Sequence, residues 1–154
     1  MIKLEFKELF KLYSTDIFNY SHSLLKNRDD AKDAVQDVFV RFFETQNSFR
    51  GECSVKTWLL VITRNYCYRK LNKTLPQIES LEDETPISYE ETIHQKITVD
   101  DILDSLKPDE YELVYLREYA GYSYNEICDI LGMSLENVKI RLFRIRQKLK
   151  RIIE

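Results

Sequence analysis

The chain has 154 residues, of which 44% are hydrophobic and 32% are charged, and its formal net charge is −3. This composition is typical of a globular protein and excludes disorder along the whole chain. The sequence contains no apolar run of about 18 residues or more and no secretory leader pattern, so we expect no membrane span and a cytoplasmic location.

The N-terminal region is predicted to form helices around one shared core. Apolar residues recur there at steps of three and four, and glycine and proline number only three each in the whole chain, which favours an all-α fold. The first helix carries the apolar stripe Phe6, Leu9, Phe10, Tyr13, Ile17 and Phe18. The second helix, after "KNRDD", carries Ala31, Ala34, Val35, Val38, Phe39 and Phe42. A third helix is predicted from about Ser54, its N-cap, to Lys70.

Residues 74–97 interrupt this helical pattern. The stretch contains two prolines and six acidic residues, with Lys96 as its only lysine or arginine. We predict a linker between an N-terminal domain, residues 1–73, and a C-terminal domain, residues 98–154. Two interpretations of its charge are open: a solvated tether, or a segment that shields the basic surfaces of the protein when it is alone.

The C-terminal domain begins with two predicted helices. A short one covers residues 99–106, and the next starts near Pro108 and ends at Gly121. Ser123 and Glu126 then form the capping-box pattern that opens a third helix.

The third and fourth helices of this domain have the spacing of a helix-turn-helix. Gly132 ends the third helix and Ser134 caps the fourth, which leaves a short turn between them. Cys128 provides a small side chain where the two helices approach closely, and Val138 is expected to reach back into the core. The domain is therefore predicted to be a helix-turn-helix domain.

The last helix is the most basic segment of an acidic protein. Its cations are Lys139, Arg141, Arg144, Arg146, Lys148, Lys150 and Arg151. Its predicted apolar stripe is Leu135, Val138, Leu142, Ile145, Leu149 and Ile152. The opposite face holds Glu136, Lys139, Ile140, Phe143, Arg144 and Gln147.

Two apolar side chains on that opposite face, Ile140 and Phe143, indicate contact with something other than water. Mixed apolar, amide and cationic side chains suit the major groove of DNA, where bases present donors, acceptors and thymine methyl groups. Flanking cations suit phosphates, which position a protein without specifying sequence; these are Arg141, Arg146 and Lys148. The predicted DNA-contacting residues are Glu136, Asn137, Lys139, Ile140, Arg141, Phe143, Arg144 and Lys148. The other interpretation is a solvated basic helix with one satellite hydrophobic contact.

Both halves of the chain resemble one family. The stretch "LKPDEYELVYLREYAGYSYNEICDILGMSLENVKIRLFRIRQKL" is similar to the promoter-reading domain of bacterial RNA polymerase sigma factors of the extracytoplasmic-function group. In the N-terminal half, "DDAKDAVQDVFVRFF" is similar to the polymerase-binding helix of that group, and "FRGECSVKTWLLVITRN" to its promoter-melting segment. The resemblance implies a sigma factor that binds core RNA polymerase and directs promoter recognition and transcription initiation. Core RNA polymerase and promoter DNA are then expected partners, and an anti-sigma factor is a candidate third partner.

The resemblance also implies which residues act. The polymerase-binding candidates are Asp33, Gln36, Asp37 and Arg41. The promoter-melting candidates are Phe49, Arg50, Gly51, Lys56 and Asn65. Aromatic faces stack on unpaired bases and cations contact phosphates, and a basic surface is expected to continue along the helix through Arg64, Arg69 and Lys70. Trp58, at helical spacing with Leu59 and Ile62, is expected in the core instead.

Two positions depart from the common family pattern. Arg69 stands where an acid or amide is frequent, and Glu136 with Asn137 replaces a frequent Gly-Thr pair at the start of the basic helix. Because glutamate accepts from cytosine and asparagine pairs with adenine, we expect a shifted base preference there.

The sequence suggests little other chemistry. The three cysteines (Cys53, Cys67 and Cys128) and two histidines (His22 and His94) lack the close spacing of a zinc site, so we expect reduced thiols, no metal and no cofactor. P-loop, HExxH and GxSxG patterns do not occur, and we expect that the protein is not an enzyme. The alternative function is a freestanding dimeric helix-turn-helix repressor or activator, which would bind a palindrome as a dimer.

Overall fold

The computed structural model describes residues 6–46, 51, 53–71 and 99–153. Its helices are α1 (Phe6–Leu25), α2 (Arg28–Thr45), α3 (Val55–Lys70), α4 (Val99–Asp104), α5 (Pro108–Val114), a π-helical turn (Tyr115–Tyr119), α6 (Tyr124–Leu131) and α7 (Leu135–Ile153). No strand occurs in the described ranges, and the predicted all-α fold is confirmed. The predicted linker, residues 74–97, lies outside the described residues.

The chain divides into two compact units. Helices α1, α2 and α3 belong to the N-terminal unit, whereas α4, α5 and α7 belong to the C-terminal unit. In the N-terminal unit, Lys26 has a left-handed φ of 55° and its N–H donates to the His22 carbonyl at 2.8 Å, which ends α1. Asn27 then caps α2 by accepting the Asp30 N–H at 2.9 Å. The "KNRDD" break therefore reverses the chain in a few residues.

The core of the N-terminal unit lies where the apolar periodicity predicted it. It contains Leu9, Ile17, Val35, Val38, Phe39, Phe42 and Leu59, with Trp58 packed against it as expected. Burying each such side chain stabilises the fold by about 1.5–3 kcal/mol. Phe6 and Phe10 differ from the prediction, because they are 51% and 38% exposed while their rings contact Phe39 at the edge of this core. Since α2 buries one face here, its opposite face is exposed.

The second helix of the C-terminal unit is not uniform, although an uninterrupted helix was predicted from Pro108 to Gly121. After α5, the Ala120 N–H donates to the Tyr115 carbonyl at 2.9 Å, a step of five residues that widens the turn. The wide turn buries Leu116 completely. Gly121, with a φ of 74°, then takes the left-handed conformation that lets the chain leave the helix.

The predicted helix-turn-helix geometry is present in α6 and α7. Ser123 and Glu126 cap each other's backbone at 3.1 and 3.0 Å, which confirms the capping box. Gly132 has a φ of 68°, and Ser134 accepts the Asn137 N–H at 3.2 Å to begin α7. The buried stripe of α7 contains Val138, Leu142, Ile145 and Ile152. Leu135 was predicted on this stripe but is 41% exposed, because it is the first residue of the helix and lies at the turn.

Candidate functional site

The exposed face of α2 carries the residues that the sequence assigned to polymerase binding. Asp33, Gln36 and Asp37 are exposed and Arg41 is half-buried. Steps of three and four residues bring them onto one side of the helix, opposite the buried stripe. Val40 is also there, 53% exposed. Val40 was not among the predicted residues, although an apolar residue at the spacing of the polar face was the available signal. These five residues are called the α2 face below.

A side chain of α3 contacts the α2 face. The Tyr66 hydroxyl donates to Asp37 Oδ2 at 2.9 Å, and the Arg41 guanidinium carbon lies 5.7 Å from the centre of the Tyr66 ring. Burial, followed by this hydrogen bond to Asp37, raises the pKa of Tyr66, because both favour the neutral phenol. The sequence pattern does not indicate this contact, since 29 residues separate Tyr66 from Asp37.

The promoter-melting candidates are only partly within the described residues; Phe49 and Arg50 lie outside them. Gly51 is exposed and left-handed, with a φ of 73°. On α3, Lys56 is half-buried and Asn65 is exposed. These two residues are separated by about two and a half helical turns, so they lie on different sides of α3. The structure therefore does not bring them onto one surface.

The basic surface predicted along α3 is smaller than expected. Arg64 was placed on it, but only 6% of the residue is exposed and its guanidinium lies 5.0 Å from the centre of the Tyr68 ring. Arg69 is exposed, and its Nε donates to the Asn65 carbonyl at 3.3 Å. Lys70 Nζ lies 3.5 Å from Asp30 Oδ1. Arg64 is thus a buried part of the N-terminal unit, and the surface assignment was wrong for that residue.

The outward face of α7 has the predicted mixed character. Ile140 and Phe143 are 41% and 62% exposed, which confirms that they point away from the core. Glu136, Lys139 and Arg144 are exposed around them, and Asn137 is half-buried. These residues are called the α7 face below. Their combination of apolar, amide and charged groups is complementary to base edges and phosphates of duplex DNA.

Three cations flanking the α7 face, which were predicted to contact phosphates, form ion pairs within the C-terminal unit. Each forms an ion pair with an acid of α5 or of the π turn: Arg141 with Asp109 at 3.4 Å, Lys148 with Glu110 at 2.8 Å, and Arg146 with Glu118 at 2.7 Å. The side chains of Arg141 and Lys148 are only 14% and 19% exposed. Their charges are therefore already compensated within the C-terminal unit.

Tyr124, which the sequence analysis did not select, lies beside a cation of the α7 face. Lys139 Nζ is 5.9 Å from the centre of the Tyr124 ring, and the Arg117 guanidinium carbon is 4.2 Å from it. Both distances are within the range of cation–π attraction. Tyr124 therefore helps to set the direction of Lys139.

The described part of the chain forms no cluster of metal ligands, no disulfide bond and no membrane-spanning helix. Among residues 6–46, 51, 53–71 and 99–153, no cluster of three or more His, Cys, Asp or Glu side chains has an arrangement that could hold a metal ion. Cys53, Cys67 and Cys128 form no disulfide bond. None of the described helices is long and apolar enough to cross a membrane.

Comparison with known families and relatives covers both units. Residues 9–74 match the family model for sigma-70 region 2, and residues 96–149 match that for sigma-70 region 4. RNA polymerase sigma factor YlaC of Bacillus subtilis strain 168 is 31% identical over 94% of this chain and 90% of the relative. The extracytoplasmic-function sigma factor SigM of the same organism is 27% identical over 93% of this chain and 91% of the relative.

Solved structures show the same fold. The sigma factor RpoE, in complex with the anti-sigma factor NepR from Bartonella quintana, aligns with a TM-score of 0.68 and 25% identity over 96% of each chain. CnrH, in complex with the cytosolic domain of CnrY, aligns with a TM-score of 0.70 and 22% identity over 96% of this chain and 86% of that one. A freestanding helix-turn-helix regulator does not account for the match to region 2. With both regions in order in one chain, the protein belongs to the extracytoplasmic-function group of RNA polymerase sigma factors, which bind core RNA polymerase and direct promoter recognition and transcription initiation.

Proposed function

We propose that three surfaces of this sigma factor have separate roles. The α2 face binds core RNA polymerase, the segment from residues 49–51 through α3 holds melted promoter DNA, and the α7 face reads the upstream duplex element. In this division, residues 1–73 form the polymerase-binding and melting domain and residues 98–154 the promoter-recognition domain. Nucleotide addition belongs to the polymerase, so this chain supplies no catalytic group and acts in the cytoplasm, where the polymerase transcribes.

The exposure of Ile140 and Phe143 is the observation that carries the proposal. The exposure of two large apolar side chains on an otherwise polar helix face is unfavourable in water, and covering them on binding is favourable in proportion to the apolar area removed from water. In the major groove, thymine methyl groups cover such side chains while Lys139 and Arg144 meet acceptors or phosphates. A solvated basic helix has no equivalent role for Phe143, which is 62% exposed.

The composition of the α2 face supports its role as a protein interface. Protein interfaces commonly combine an apolar centre with a polar rim. Here Val40 is 53% exposed and is surrounded by the acidic, amide and basic groups of Asp33, Gln36, Asp37 and Arg41. The polar groups supply orientation, and Val40 supplies apolar area that is buried on binding.

An anti-sigma factor is a further partner within this proposal. The support is that RpoE of Bartonella quintana, which is 25% identical to this chain, was solved in complex with the anti-sigma factor NepR. Capture of a partner that prevents binding to core polymerase would test this part separately.

Binding to purified core RNA polymerase tests the α2 face. The triple variant Asp33→Ala, Gln36→Ala, Asp37→Ala and the single variant Val40→Ser are expected to weaken binding by about 1–4 kcal/mol, as truncations at interface hot spots do. The matched control is Glu8→Ala with Asn19→Ala, two exposed residues of α1, which should leave the affinity unchanged. Unchanged affinity of both α2 variants would reject the assignment. The molecular mass of the isolated protein in solution distinguishes a sigma factor from the alternative function, because a repressor of this type is a dimer.

A further inference from the structure

Tyr66 of α3 contacts two of the side chains proposed to bind polymerase. Its hydroxyl donates a hydrogen bond to Asp37 Oδ2 at 2.9 Å, and the Arg41 guanidinium carbon lies 5.7 Å from the centre of its ring. Asp37 and Arg41 are four residues apart on α2, so their side chains lie on adjacent turns of one face. One tyrosine therefore lies against two neighbouring positions of the α2 face.

The position of the Tyr66 ring is itself determined by its surroundings. The ring packs against both buried clusters of the N-terminal unit. Lys70, one turn later on α3, has its Nζ 5.9 Å from the ring centre and 3.5 Å from Asp30 Oδ1. Arg41 of α2 and Lys70 of α3 thus lie near the same ring, and core side chains pack against it. A tyrosine whose ring is fixed in this way can hold in place the carboxylate that accepts its hydroxyl hydrogen bond.

We infer that Tyr66 is a positioning residue for polymerase binding, which holds Asp37 and Arg41 in the arrangement that core RNA polymerase contacts. The inference depends on the proposed role of the α2 face. An exposed aspartate samples several rotamers. Binding that fixes one of them costs side-chain conformational entropy, and this cost lowers the affinity. The hydrogen bond from Tyr66 restricts Asp37 in advance. A carboxylate has about four lone-pair positions, so one accepted bond leaves Asp37 able to accept others from a partner.

The variant Tyr66→Phe tests this role because it removes the hydroxyl and keeps the ring. We expect its affinity for purified core RNA polymerase, measured with the full chain, to fall about two- to tenfold, the range of one hydrogen bond. Tyr13→Phe is the matched control, because Tyr13 is another partly buried tyrosine packed against the same core cluster. Its affinity should not change. Urea unfolding of both variants reports whether the fold is retained.

A double-mutant cycle separates positioning from a general structural effect. In an Asp37→Ala background, Tyr66→Phe should have no further effect on affinity, whereas in an Asp33→Ala background its full effect should persist. A Tyr66→Phe affinity equal to wild type, or the same loss in both backgrounds, would overturn the inference. If Asp37→Ala itself leaves the affinity unchanged, the proposed role of Asp37 fails and the inference fails with it. If Asp37→Ala weakens binding and Tyr66→Phe does not, only the inference about Tyr66 fails.

Discussion

Lys148 Nζ lies 2.8 Å from Glu110 Oε1, the same oxygen that accepts the backbone N–H of Lys107 at the start of α5. One carboxylate therefore caps α5 and pairs with α7. The side chains of Lys148 and Glu110 are only 19% and 15% exposed, so water screens this pair less than a surface pair. Lys148 is in this way a structural element of the C-terminal unit.

We predict that Lys148→Ala destabilises the protein by about 1–2 kcal/mol, because it leaves a largely buried carboxylate without its cation. Urea unfolding followed by circular dichroism measures this change. The control is Lys150→Ala, an exposed residue of the same helix, which should change the free energy of unfolding by less than about 0.5 kcal/mol. Equal effects of the two variants would contradict the structural role of Lys148.

Arg144 and Arg146 are expected to differ in how they bind DNA. Arg144→Ala should reduce the affinity of holoenzyme for its promoter by about 1–3 kcal/mol and relax specificity at one or two base pairs, as loss of a base contact does. Arg146→Ala, at a flanking cation whose side chain is 50% exposed, should weaken all sequences alike and reduce the salt slope by about one unit. A promoter library titrated at several salt concentrations distinguishes the two patterns. Identical behaviour of both variants would show that base and phosphate contacts are not divided in this way.

Phe143→Ala should lower the affinity of holoenzyme for the upstream duplex element by about 1 kcal/mol, roughly fivefold, without loss of stability. Leu12→Ala is a close control, since Leu12 of α1 is also 62% exposed. If Phe143 contacts a thymine methyl group, replacing thymine by uracil in that element should weaken wild-type binding and remove the difference between wild type and Phe143→Ala. A full Phe143→Ala defect on the uracil template would argue against the methyl contact.

Asn65→Ala should leave binding to the closed promoter nearly unchanged and impair promoter opening, because an exposed amide on α3 is proposed to contact bases only after they leave the stack. Permanganate footprinting of unpaired thymines reports the opening. A premelted template is expected to restore transcription to the wild-type level. A defect that persists on that template would assign Asn65 to a later step.

Tyr66 predicts a specific dependence of stability on pH. Burial and then the hydrogen bond to Asp37 raise the pKa of Tyr66 above its ordinary value of 10.0. The folded state therefore favours the protonated phenol, and this contribution to stability is intact below pH 10 and lost as the pH rises through the folded-state pKa. Urea unfolding at several alkaline pH values should show a steeper loss for wild type than for Tyr66→Phe. If the free energy of unfolding falls equally steeply with pH in both proteins, the pKa of Tyr66 does not differ between the folded and unfolded states.

Periodicity predicted those parts of the fold that depend on neighbours along the chain. The capping residues Ser54, Ser123 and Ser134 begin the helices that were expected, and Val138, Leu142 and Ile145 are buried as predicted. These features depend on residues at most four positions apart, which a pattern can represent.

Features that depend on contacts between helices were not predictable in the same way. Arg64 was expected on a basic surface, yet only 6% of it is exposed and its guanidinium lies against the Tyr68 ring. Glu110, the partner of Lys148, is 38 residues away in the sequence. The position of a cation along its own helix does not show whether an acid of another helix forms an ion pair with it. The exposed faces could therefore be predicted from the sequence, but the ion pairs that their charged groups form could not.

The π turn at Tyr115–Tyr119 holds one residue more than α-helical geometry would place there. It carries Arg117, which donates to the Tyr122 carbonyl at 2.9 Å, and Glu118, which pairs with Arg146 at 2.7 Å. Because the wider turn accommodates this extra residue, a chain shorter by one residue within it would regain α-helical geometry, and the side chains beyond the deletion would keep nearly the same directions relative to α5. In an alignment of sigma factors, a one-residue gap at these five positions would therefore mark a relative in which the wide turn is a regular α-helical turn and α5 still leads into the helix-turn-helix in the same way.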